Sequence, residues 1–178
     1  MILTYFLCFF FFSFFGWILE EIYYFLKNKK FINRKTMKFL PLCPVYGFAV
    51  TIVLLNKPLL FNSKILYFSF GFIICSAAEY LFNSFFKEKF NLKIWDYSKN
   101  ILNLQGNICI TYSLIWGFLS LIILNFSEKI LFFFSAFPNI LTYFLIFLFI
   151  NDLLESYNLF KNNTIKQINI YCQAIKEY

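Results

Sequence analysis

Three acidic side chains interrupt long apolar runs in this chain: Glu20, Glu79 and Asp152. Each precedes a lysine that closes its run, Lys27 by seven positions, Lys87 by eight and Lys161 by nine. At 1.5 Å of rise per helical residue, all three lie roughly 10–13 Å inside the same face of a membrane. An ionised carboxylate in hydrocarbon costs at least about 2.5 kcal/mol. Three of them at one depth point to a shared polar site in a helix bundle, suited to a cation or to the cationic group of a substrate. Two other chemistries use buried acids. A lipid-phosphate enzyme holds Mg²⁺ with them, although no Asp-Asp-x-x-Asp cluster occurs here. A non-transporting scaffold or regulatory subunit uses them to fix helix register.

Each acid has neighbours at helical spacing. Gly16, Glu20 and Tyr24 follow at i, i+4 and i+8, with Trp17 and Glu21 beside them. Cys75, Ser76, Glu79 and Asn83 form a polar stripe, and Asp152, Glu155 and Ser156 share a face. Glu21 and Glu155 read as solvated groups nearer the interface. Cys109, Ser113 and Gly117, followed by Ser120, form a small-residue stripe suited to close helix packing. Trp116 beside it reads as a packing residue. In the string Trp95-Asp96-Tyr97-Ser98, Asp96 and Ser98 suit a turn or cap, while Trp95 and Tyr97 suit a membrane interface.

The elements that must position these residues follow from composition. The chain is 61% hydrophobic and 14% charged, with a mean hydropathy of +0.68, more apolar surface than a soluble domain of 178 residues can hide. The fold class expected is an all-α integral membrane protein, a bundle of about five transmembrane helices. The spans fall at about 2–26, 41–61, 65–86, 108–126 and 138–160, the second broken by Pro44 and Pro58. The apolar stretch 130–137 is too short to cross alone. It extends the fifth helix with a kink at Pro138 or lies in the interface. Beyond residue 160 comes a cytoplasmic tail, with Ile165, Ile168, Cys172 and Ile175 at the spacing of an interfacial amphipathic helix.

Thirteen of the sixteen basic residues fall after the first, third and fifth spans, leaving Lys57, Lys64 and Lys129 on the other side. The positive-inside rule then puts the N-terminus outside and the C-terminus in the cytoplasm. The net charge of +7 is read as topology and as attraction to anionic lipid rather than to nucleic acid. Five scattered cysteines give neither a disulfide framework nor a metal site, and the absence of histidine excludes His-based zinc sites and Ser-His triads. No cofactor is expected. Residues 1–26 lack a basic n-region and a cleavage site, so they read as a retained span.

Taken together, several strings resemble the bacterial family of ABC-transporter (type IV) permeases. They are Gly16-Trp17 with Glu20, Phe31-Ile32-Asn33-Arg34, Cys43-Pro44-Val45-Tyr46-Gly47, Glu79-Tyr80, and Glu88-Lys89-Phe90 leading to Trp95-Asp96-Tyr97-Ser98. Asn103-Leu104-Gln105-Gly106, Ile108-Cys109, Ser113, Trp116-Gly117 and Asp152 complete the set. Order and spacing hold over nearly the whole chain. There are departures: Lys35 and Leu40 stand where the family has glycine, and Asn107 where it has arginine. Arg34 is then the one arginine and the expected counter-charge for the acidic layer. The resemblance implies a multi-pass transport permease of the bacterial inner membrane with a separate ATPase subunit. This chain carries no G-x-x-x-x-G-K-[ST] loop of its own. A complex or homo-oligomer is expected, since five helices make a thin pore. Arg34 and Asp96 would stand at its cytoplasmic mouth.

Overall fold

The computed structural model describes residues 2–29, 37–60 and 63–161. It is helical almost throughout: α1 (Ile2–Asn28), α2 (Pro44–Leu55), a 3-10 turn (Lys57–Leu60), α3 (Lys64–Phe90), α4 (Ile110–Asn125), α5 (Ser127–Ser135) and α6 (Asn139–Lys161). A short antiparallel pair, β1 (Asn103–Leu104) and β2 (Ile108–Cys109), lies between α3 and α4. Among the described residues, α1, α3 and α6 are each long and apolar enough to cross a membrane. The pair α4 and α5 passes the same test together, although it bends by 61°.

The second expected span differs most. Its α-helix has 12 residues, about 18 Å at 1.5 Å per residue, short of a hydrocarbon core by itself. Pro44 does not break this helix but begins it, where its missing N–H deprives no carbonyl of a partner. Pro58 falls in the 3-10 turn that follows. The expected kink also moves. α6 starts at Asn139, directly after Pro138, while the bend lies at Phe126 between α4 and α5. There the Ser127 hydroxyl donates to the Leu124 carbonyl at 2.7 Å, a side chain competing for the helical ladder.

Local chemistry explains the ends of α3. Ser63 caps its start by accepting from the Leu66 amide. Asn91 ends it in the left-handed region (φ 55), its amide donating to the Lys87 carbonyl and the next amide, Leu92, to the Phe86 carbonyl.

Two compact units are present: Met1–Gly47 with Phe137–Tyr178, and Phe48–Ala136. The first packs Phe9, Phe10, Met37 and Leu42 with Leu145, Ile146 and Phe149. Phe149 meets the rings of Phe9 and Phe10 edge-on at 5.3 and 5.7 Å. At Gly47, a Cβ would collide with the Ser13 hydroxyl and the Phe9 carbonyl. Because backbone yields little, Gly47→Ala is expected to lower stability by about 2 kcal/mol in thermal unfolding of the detergent-solubilised protein.

The second unit is centred on α3 against α4. A Cβ at Gly117 would strike the Phe68 ring, and one at Gly71 would strike Ser120. The small-residue stripe thus does bring the two helices close.

Candidate functional site

Glu79 is the best-defined polar centre of the second unit. It lies a little past the middle of α3 and is 4% exposed. The Tyr97 hydroxyl donates to its Oε1 at 2.7 Å, and the Trp116 indole N–H to its Oε2 at 3.1 Å. Trp116, read from sequence as a packing residue, is therefore a direct donor to the carboxylate. Tyr97 packs against Tyr112, ring centroids 4.8 Å apart and planes tilted by 32°. One turn deeper, the Ser76 hydroxyl donates to Ser113 at 2.7 Å, and Cys75 contacts Ser120 at 3.9 Å. Beside Glu79, the Tyr80 hydroxyl donates to Gln105 at 3.0 Å.

Tyr97 reaches Glu79 because Asn83 holds the loop against α3. Asn83 is fully buried and satisfies four loop groups. Its Oδ1 accepts from the amides of Ile94 (2.9 Å) and Trp95 (3.3 Å). Its Nδ2 donates to the Trp95 carbonyl and to the Asn107 Oδ1, both at 2.9 Å. Asn83 was legible as part of the polar stripe, but its four-way role was not. Asn107, at the departure from the family pattern, also donates to Ser84 at 3.0 Å. The motif resemblance implies an arginine at this position, and the chain has an amide network there instead.

Asp96 and Ser98 form the expected turn, the Ser98 amide donating to Asp96 Oδ1 at 3.1 Å. Lys93 pairs with Oδ2 at 3.2 Å. Trp95 is buried. Gly106 supplies a positive φ of 74, and its carbonyl accepts from the Tyr97 amide at 2.8 Å.

In the first unit Asp152 is 2% exposed and grips the segment before α2. Its carboxylate accepts from the Phe39 amide at 3.0 Å and the Leu40 amide at 2.6 Å. Ser156, one turn on, donates to Asp152 at 3.2 Å and accepts from the Lys38 amide at 2.8 Å. Three consecutive amides thus close on one face of α6, making a nest filled by a carboxylate. Glu155 is half-exposed, as expected, and pairs with Lys38 at 3.0 Å. Glu20 accepts from the Tyr46 hydroxyl at 2.8 Å. The Tyr46 ring also covers Gly16 on the same face of α1. The Trp17 indole N–H is buried and finds no acceptor among the described residues.

Glu20 and Asp152 belong to the first unit and Glu79 to the second, each with its own donors. Asn33 and Arg34, and with them the expected counter-charge, lie outside the described residues, as does the tail helix. Among the described residues, no group of three His, Cys, Asp or Glu side chains could hold a metal ion.

Apolar helices of spanning length, two of them carrying a buried, hydrogen-bonded acid, define an α-helical integral membrane protein. Residues 7–157 match the family described as "Putative ABC-transporter type IV", and the chain belongs to that family, as the motif resemblance implied. No curated protein and no solved structure matches it.

Proposed function

We propose that this chain is the membrane-embedded permease component of a transport system in the bacterial inner membrane. In this reading it crosses the membrane five times, N-terminus outside and C-terminus in the cytoplasm. The lysine distribution supports that topology only if α2 crosses. The 12 residues of α2 and the four of the 3-10 turn reach about 18 and 8 Å, together near the hydrocarbon thickness. A separate subunit supplies ATP hydrolysis, and the chain works as a complex or homo-oligomer.

The observation that carries this reading is Glu79. It is a buried carboxylate within a span, held by the neutral donors Tyr97 and Trp116 on elements that flank α3. Its donors are neutral side chains rather than backbone amides, so in this reading a cation, or the cationic group of a substrate, binds against the carboxylate they orient. Within its own unit Glu20 is the second candidate acid, held by Tyr46, and Asp96 is a further acid on the loop that carries Tyr97. Asp152 serves as a clamp, since backbone amides already occupy it.

Glu79→Gln keeps the shape and an acceptor but removes the charge. Expected is loss of uptake or efflux in cells with unchanged amounts of protein in the membrane. Transport at the wild-type rate would sink the proposal.

The saturation of Asp152 favours a second reading, a scaffold or regulatory subunit whose buried charges fix register. It predicts wild-type transport in Glu79→Gln and a stable membrane partner in pull-downs.

A further inference from the structure

We infer that residues 91–109 form a re-entrant element, which folds back along α3 into the hydrocarbon layer and presents Ile101, Leu102 and Leu104 to lipid acyl chains. The inference rests on α3 spanning the membrane and not on the transport reading.

Depth comes from register. Ser76 faces Ser113 and Asn83 faces Asn107, so α3 and α4 run antiparallel with Ile110 opposite the neighbourhood of Tyr80. The Ile110 amide donates to the Leu102 carbonyl at 3.3 Å, which sets Leu102 at that same level. Lys64 pins the far end of α3. A minimal crossing of about 20 residues from Ile65 reaches Ser84, so the Tyr80 level lies about 6 Å inside the hydrocarbon. A longer crossing places it deeper.

Side-chain exposure agrees. Ile101, Leu102 and Leu104 are 81%, 76% and 54% exposed, like the neighbouring Leu81 of α3 at 66%. Water would leave this apolar tip unpaired, whereas acyl chains solvate it. Leu102 is also held at φ 50, where a non-glycine residue is strained.

The third argument is backbone satisfaction. Irregular backbone at membrane depth must find its hydrogen bonds within the protein. This loop does so largely through asparagines. Asn83 takes the Ile94 and Trp95 amides. Asn103 accepts from the Gly106 amide and donates to the Ser98 and Asn100 carbonyls. The amides of Tyr97, Asn100 and Asn107 donate to carbonyls of the loop itself. Lys99, next to the tip, has a stem long enough to carry its ammonium to the headgroups.

The test places the photocrosslinker p-benzoylphenylalanine at position 101 or 102 of the full chain in native membranes, with position 89 as the aqueous control. After irradiation, mass spectrometry should find phospholipid acyl adducts at 101 and 102 and none at 89. A crosslink to another polypeptide, or no lipid adduct at either tip position, overturns the inference. Thiol accessibility tests it separately. Cys8, Cys43, Cys75 and Cys109 are buried, so Cys172→Ser provides the background. There Leu102→Cys should react with a charged maleimide at least about tenfold more slowly than Lys89→Cys, because the reactive thiolate does not form in hydrocarbon. Equal rates overturn the inference. Neither readout depends on transport.

Discussion

Asn83→Ala is expected to lower the stability of the protein by about 4 kcal/mol, since it strips several buried groups of partners at once. The Ile94 and Trp95 amides, the Trp95 carbonyl and the Asn107 side chain all lose a hydrogen bond. A buried donor or acceptor left unmade costs about 1–3 kcal/mol, and the four are coupled, so the sum falls short of four independent losses. The loop that carries Tyr97 also loses its anchor, which makes the effect functional as well as structural. Denaturant unfolding in detergent, followed by intrinsic fluorescence, measures it. A loss below about 1 kcal/mol would mean that water or lipid replaces these bonds and that Asn83 does not hold the loop.

Asp152→Ala comes second, with an expected loss of about 3 kcal/mol, because the Phe39 and Leu40 amides are left without an acceptor. Asp152→Asn should recover roughly half, since its amide oxygen still accepts from one of them. Glu155→Ala on the same helix should cost under about 1 kcal/mol, its pair with Lys38 being half-exposed. This gradient separates a clamp from an ion site. An ion site would lose transport in Asp152→Asn while stability stayed at the wild-type level. A clamp loses stability first, and transport only as the folded population falls. The thermal midpoints of the three variants, measured beside transport, distinguish the two roles.

Much of the site was legible because helical period and hydrophobicity are local. Glu79 at a buried position follows from a carboxylate two turns inside an apolar run. The Ser113–Gly117–Ser120 stripe foretold close packing of α4, because small side chains at helical spacing permit nothing else so readily. The Asp96–Ser98 turn is written in four adjacent residues. By contrast, the donors to Glu79 come from positions 18 and 37 residues away. No periodicity links Tyr97 or Trp116 to it. The clamp on Asp152 uses backbone amides 112 and 113 residues distant, and amides carry no sequence signature at all.

What the chain determines by itself is its class and the cause of its burial pattern: apolar runs of spanning length, the lysines that close them, and the acids that interrupt them. Those are properties of side chains and of a fixed rise per residue. Tertiary structure alone decides which donors meet each acid, where α4 bends, how short α2 is, and that the loop after α3 folds back on its own helix. These depend on register between distant segments, which many weak contacts set jointly and no single stretch of sequence encodes.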